Sequence, residues 1–119
     1  MAQAFKRKLS SSLNGKPIKV AATATLGTTI HTAVAGTTTG MFDEIWLWAY
    51  NGSTAPVTLT IEFGGASVPD QNIVITLQPK SGLVPIVPGL ILQNGLIVSA
   101  FAGSANLITI SGFINYITD

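Results

Sequence analysis

The 119-residue chain has no cysteine and few charged residues. The lack of cysteine excludes disulfide bonds, thiolate metal ligands and a cysteine nucleophile. Only 9% of the residues are charged, against about 25% in ordinary soluble domains, and no charged side chain occurs from Ser81 to Thr118. Because a monomer normally carries charge over its surface, we expect other copies or other proteins to cover part of it. The alternative is a monomer coated with hydroxyl and amide groups.

The sequence also lacks a long hydrophobic run. The most apolar segment, residues 83–92, contains two prolines and a glycine, and it is shorter than the roughly 18 apolar residues that a membrane-spanning helix needs. Serines and an asparagine follow the first basic cluster, where a secretion signal would have an apolar core. We therefore expect a soluble, unprocessed protein with no membrane partner.

The basic residues are concentrated at one end of the chain. The first 19 residues contain five of the six lysines and arginines, and all five acids come later. We expect residues 1–15 to form a basic N-terminal arm and residues 16–119 to form the folded domain. Opposite charges guide docking, so the arm is suited to binding a mildly acidic neighbour; a solvated tail without a role is the alternative.

The remaining pattern predicts an all-β fold. No stretch has a helical period, and short segments rich in Thr, Val and Ile alternate with Gly, Pro and Asn turns. About eight short strands at such intervals favour an antiparallel, jelly-roll-like β-sandwich. The predicted strand segments are 17–25, 28–34, 42–50, 57–63, 73–77, 84–87, 90–92, 96–102 and 107–117, with a bulge or bend at 111–112.

Residues 57–63 show the clearest alternation. Val57, Leu59, Ile61 and Phe63 point one way, so Thr58, Thr60 and Glu62 point the other. We expect a buried face and a solvated face, with Glu62 on the solvated one.

Residues 45–50 break that rule because both faces of the strand are apolar. Ile45, Leu47 and Ala49 lie on one face, and Trp46, Trp48 and Tyr50 lie on the other. One set fills the core, and the aromatic set is typical of a protein interface. A cover supplied by the same chain is the alternative.

The polar residues do not form a recognisable catalytic or metal-binding set. His31 is the only histidine and is expected at the surface or in an interface, since one histidine cannot complete a zinc site alone. Asp43 and Glu44 are adjacent, so on a strand they point to opposite faces. No nucleophile or phosphate-loop motif is present. We expect no enzyme activity, no cofactor and no metal.

The charge of the chain argues against nucleic acid as a partner. Residues 5–9 supply a basic stretch that could contact phosphates, but the net charge of the whole chain is only +1.

The second half of the chain resembles small β-sandwich virion proteins of tailed bacteriophages. The resemblance rests on Ser81-Gly82-Leu83-Val84-Pro85, on Gly89-Leu90-Ile91-Leu92, on Asn94-Gly95-Leu96-Ile97-Val98-Ser99-Ala100 and on Ile108-Thr109-Ile110-Ser111-Gly112. The opening Ala4-Phe5-Lys6-Arg7 and the Thr-rich segment after it are also similar to the start of such proteins.

The resemblance implies a capsid decoration (cement) protein, made in the host cytoplasm and located on the capsid surface. Its partners would be the major capsid protein and two further copies of itself in a homotrimer. We expect the interface residues to be Phe5, Lys6, Arg7, Lys8, Trp46, Trp48 and Tyr50. A neck, tail or fibre component is one alternative, and a carbohydrate-binding β-sandwich with an exposed tryptophan is another.

Overall fold

The computed structural model describes residues 2–119, and these form nine strands and no helix. The strands are β1 Gln3–Lys8, β2 Ile18–Lys19, β3 Thr28–Thr32, β4 Phe42–Asn51, β5 Val57–Phe63, β6 Asn72–Leu77, β7 Val84–Leu92, β8 Ile97–Ala102 and β9 Ile108–Thr118.

The strands form two antiparallel sheets. In the first sheet the order is β1-β9-β4-β7, and β2 pairs with β9 beyond the end of β1; in the second the order is β3-β8-β5-β6. From β2 onward the chain changes sheet at nearly every connection, and only β5 and β6 are consecutive neighbours. This order is that of a jelly roll in which β1 and β2 together supply the first strand. The predicted jelly-roll-like β-sandwich is confirmed.

The core lies between the inner faces of the two sheets. Alternate residues of β4, β5 and β9 point into it because side chains alternate across a strand. Burying one such aliphatic side chain completely stabilises the fold by about 1.5–3 kcal/mol. The fully buried residues of these three strands include Ile45, Leu47, Ala49, Leu59, Ile61, Ile108 and Ile110.

The segments 84–87 and 90–92, predicted as separate strands, form the single strand β7. Its register against β4 shifts twice, between Ile45 and Trp46 and between Leu47 and Trp48. These bulges let an edge strand keep Pro85 and Pro88, which cannot donate backbone hydrogen bonds.

Of the bulge or bend predicted at Ser111 and Gly112, the bulge is wrong. The pairing of β9 with β4 runs from Ile117 to Ile108 without a register shift. Gly112 has a different role, because a Cβ at this position would collide with the carbonyl oxygen of Trp46. Glycine therefore lets the two central strands approach each other.

The N-terminal residues, predicted as an arm, extend the first sheet. Gln3–Lys8 pairs with β9 over six register positions, and all six residues are exposed. The chain then crosses to the second sheet, where Leu9 is buried and the Ser11 N–H donates to the Ile30 carbonyl at 3.3 Å. The strand predicted over 17–25 is short, and only Ile18–Lys19 pairs with β9.

Candidate functional site

The structure brings most of the predicted interface residues to the outer face of the first sheet. Residues directly opposite in an antiparallel pair share a face. Trp46 lies opposite Phe113, and Phe113 lies opposite Lys8 on its other side. Lys6 is two residues from Lys8, and Trp48 is two residues from Trp46, so both lie on the same face as these residues. We call this surface the aromatic face and define it by Lys6, Lys8, Trp46, Trp48 and Phe113.

Three rings form the centre of the aromatic face. The ring centroid of Phe113 is 6.2 Å from that of Trp46 and 5.9 Å from that of Trp48, and the two indoles are 6.4 Å apart. The interplanar angles are 17°, 29° and 19° in the same order. All three side chains are half-buried. Neighbouring rings therefore cover one another partly and leave part of each ring to solvent.

Phe113 is a member of the aromatic face that is not predicted from the sequence. Its signal was present, because Phe113 and Asn115 alternate with the buried Ile114 in the same way as the residues of β4. The sequence predicts a strand over residues 107–117 but assigns no side chain of it to a face.

Charged and polar groups border the rings. The Nζ of Lys6 lies 4.3 Å from the Phe113 ring centroid, a cation–π contact. Lys6 and Glu44 lie on either side of Asn115. An oxygen of Glu44 accepts hydrogen bonds from Trp46 Nε1 at 2.7 Å and from Asn115 Nδ2 at 3.1 Å. The bond from Trp46, and then that from Asn115, lowers the pKa of Glu44 below its ordinary value, against a smaller opposing effect of burial.

The other predicted interface residues lie elsewhere or pack locally. Phe5 and Arg7 point to the opposite side of β1, where the Phe5 ring stacks on Tyr116 at 6.3 Å and the Arg7 guanidinium lies 4.8 Å from the Tyr116 ring centroid. Tyr50 is on the outer face, and its ring packs against Gly52 of the following turn.

A second surface of interest lies where β3, β5, β7 and β8 meet their turns. Two depressions, of 330 and 380 Å³, share Leu96 in their walls, and no charged residue lines either of them. The exposed fractions of the large side chains here are 78% for Leu26, 56% for Ile91, 45% for Ile97 and 42% for Leu96. We call this surface the apolar end and define it by these four residues.

Glu62, predicted to be solvated, is 1% exposed. It does lie on the outer face of the second sheet, opposite Ser99, but residues 25–27 fold over it. One oxygen accepts hydrogen bonds from the Gly27 N–H and the Ser99 hydroxyl, and the other accepts one from the Thr25 hydroxyl, all at 2.7 Å. The carboxylate thus holds the loop whose tip, Leu26, forms a wall of the apolar end.

Two opposing effects act on the pKa of Glu62. Burial raises this pKa, and the three hydrogen bonds outweigh burial, so the pKa lies below its ordinary value. The ionised form is therefore the one that the fold stabilises.

His31, predicted at the surface or in an interface, is 4% exposed. Its Nδ1 accepts a hydrogen bond from the Ser10 N–H at 2.9 Å, so Nε2 carries the ring proton and donates to Asp43 at 2.7 Å. The same oxygen of Asp43 accepts from the Val34 N–H at 3.1 Å. The pair is a satisfied structural network that fixes the crossing from β1 to the second sheet.

Asp43 and Glu44 point to opposite faces, as predicted, with Asp43 inside and Glu44 on the aromatic face. Among residues 2–119, no three His, Cys, Asp or Glu side chains come together as metal ligands.

Comparison with known proteins gives no relative from which a role could be transferred. The chain matches no family model, no characterised protein and no solved structure. The described part of the chain contains no helix that is long and apolar enough to cross a membrane. The aromatic face and the apolar end are therefore the features that bear on function.

Proposed function

We propose that the protein is a non-enzymatic structural subunit of a virion, of the type that decorates and stabilises a phage capsid. Its partners in this proposal are further copies of the same chain, as a trimer, and the major capsid protein. The role is mechanical: each bound copy adds buried area between neighbouring capsid subunits, and many equivalent contacts give avidity.

The observation that carries the proposal is the apolar end. Four large aliphatic side chains are between 42% and 78% exposed around two depressions that no charged residue lines. Large exposed apolar patches are rare on monomers and mark interaction sites. Water does not hydrate such a surface favourably. Covering it with a protein partner therefore lowers the free energy of the complex.

The hydrogen bonds of Glu62 support the same assignment. They fix the loop of residues 25–27, and with it Leu26, in one conformation. A surface that is ordered before binding loses less conformational entropy when it binds. The apolar end therefore has the properties of a preformed contact surface.

We assign the contact between copies of this chain to the apolar end rather than to the aromatic residues predicted from the sequence. Trp46, Trp48 and Tyr50 are half-buried within their own chain, whereas Leu26 and Ile91 are mostly exposed. In this proposal Lys6, Arg7 and Lys8 anchor the subunit to the capsid, since β1 lies at the edge of the first sheet.

Immunogold electron microscopy of virions, with antibodies raised against this chain, tests the proposal. Label spread over the capsid is the expected result. Label confined to the neck, tail or fibres would support the alternative virion location. Particles without label at any position would contradict a virion role.

A carbohydrate-binding module is the second candidate. It is favoured by the partly exposed, near-parallel indoles of Trp46 and Trp48 beside the polar groups of Glu44 and Asn115. A change in tryptophan fluorescence with one member of a panel of neutral oligosaccharides would support this candidate, and no change across the panel would count against it.

A further inference from the structure

We propose that the aromatic face is a binding site for a short stretch of single-stranded nucleic acid. This function goes beyond the proposed structural role. The observation that carries it is the aromatic face rather than the apolar end, so either proposal can fail without the other.

The arrangement of the sheet supports the inference. The aromatic face is the open side of the first sheet, which is four strands wide because β1 and β2 share one edge. Its rings stand on the two central strands, β9 and β4. One widespread class of RNA-binding domains uses a four-stranded sheet whose aromatic side chains stack two or three bases. Three rings within 5.9–6.4 Å of each other provide a platform of that size.

Lysines line one side of the rings. Lys6 and Lys8 lie on β1 beside Phe113, and Lys19 on β2 lies opposite Thr109 of the same face. Lys19 and both lysines of β1 are exposed. A row of cations beside stacking rings is the combination by which proteins bind single strands without reading their sequence.

The charges that are exposed in the structure favour nucleic acid more than the net charge of the sequence does. The net charge is only +1 because five acids oppose six basic residues. Two of the acids, Asp43 and Glu62, are buried and hydrogen-bonded inside the protein. Of the other three, Glu44 lies on the aromatic face, where Trp46 and Asn115 occupy one of its oxygens. The exposed surface is therefore more positive than the composition indicates.

The partly exposed rings of the face favour a single strand over a folded duplex. Bases in a duplex are already stacked on each other, whereas a single strand can offer its bases to the rings.

The experiment is a titration of the full chain with a fifteen-nucleotide oligo(dT), followed by the fluorescence of Trp46 and Trp48. We expect quenching, with an affinity that falls about 20-fold between 50 and 200 mM salt if three lysines each neutralise one phosphate. Lys6→Ala with Lys8→Ala should reduce the salt dependence to about one third of its exponent. Lys80→Ala is the matched control, because this lysine lies between β6 and β7, outside the face, and should leave affinity and salt dependence unchanged.

A second variant separates stacking from charge. Phe113→Leu keeps an apolar side chain and removes the ring, and it should weaken binding about tenfold without changing the salt dependence. Thermal unfolding of each variant verifies that it is folded.

Several results would overturn the inference. These are the absence of quenching at 50 mM salt, an unchanged affinity in the folded double-lysine variant, or an unchanged affinity in the folded Phe113→Leu variant. Equal competition by a poly-glutamate peptide would also overturn it, since the face would then bind anions without stacking bases.

Discussion

At the scale of single residues, the structure gives Glu62 a role that its position in the strand did not indicate. Alternation placed it correctly on the outer face of β5, but a loop distant in sequence covers that face. Such a covering is a tertiary event, and the alternation of one strand contains no information about it. The only local sign was that Glu62 is the one charged residue of β5.

The buried carboxylate predicts a specific dependence of stability on pH. Because the pKa of Glu62 is lower in the folded protein than its ordinary value of 4.5, its ionisation stabilises the fold above that pH. This contribution is lost as the pH falls through the folded-state pKa. Glu62→Gln keeps the shape of the side chain without the titration, so the stability difference between wild type and this variant should shrink from pH 7 to pH 3. Chemical denaturation at several pH values measures it, and a difference independent of pH would contradict the assignment.

Complete removal of the Glu62 carboxylate is expected to destabilise the fold more than Glu62→Gln does. Glu62→Ala leaves the Gly27 N–H and the hydroxyls of Thr25 and Ser99 without their acceptor. At pH 7 we expect a loss of about 2–4 kcal/mol in the free energy of unfolding. An effect within experimental error of wild type would show that water replaces the acceptor.

At the scale of elements, the strands with a simple environment were predictable. The bounds of β5 agree with the predicted segment 57–63, and β4 differs by one residue at its end. The two apolar faces of β4 were also recognised, since one face lies in the core and the other carries the rings.

The elements that depend on pairing were predicted less well. The two halves of β7 looked separate because Pro85, Pro88 and Gly89 interrupt the pattern, and only the bulged pairing with β4 shows their continuity. β1 looked like an arm because its six residues contain no aliphatic pattern, and only its register with β9 shows that it is a strand. Register between distant segments cannot be read from either segment alone.

The close contact between β9 and β4 at Gly112 predicts that a larger residue at this position destabilises the fold. Gly112→Ala places a Cβ against the backbone of Trp46, so the two central strands must separate. We expect a loss of about 1–3 kcal/mol or more in the free energy of unfolding. Gly103→Ala is the control, since its Cβ would have no neighbour nearer than 3.9 Å; equal stability of the two variants would contradict the steric account.

The edge position of β1 predicts that it is dispensable for folding. None of Gln3–Lys8 contributes to the core, whereas the following residue, Leu9, is 1% exposed. A chain without residues 2–8 should still unfold in one cooperative thermal transition, because both sheets keep their buried faces. Loss of that transition would show that β1 is part of the cooperative unit.

At the scale of the whole molecule, the strand pattern predicted the kind of fold. The scarcity of charge predicts that other proteins cover part of the surface, but it does not say which part. The apolar end joins residues from the loop before β3, from β7, from the turn after it and from β8. Residues so far apart in sequence are brought together only by the jelly-roll order of the strands.

The charge distribution shows the same limit. The sequence suggests a basic arm and an acidic body, and the structure places two of the body's five acids in the interior. Net charge is a property of composition, whereas the field that a partner meets depends on where each charge lies in the structure.

The mass of the protein in solution, measured by sedimentation over a range of concentrations, tests the central claim most directly. We expect the wild-type chain to form a trimer and a variant with Leu96→Lys and Ile97→Lys to sediment as a folded single copy, because the lysines would place unpaired charge in the apolar contact. Single copies of the wild-type chain at every concentration would contradict the claim that other copies cover the apolar end.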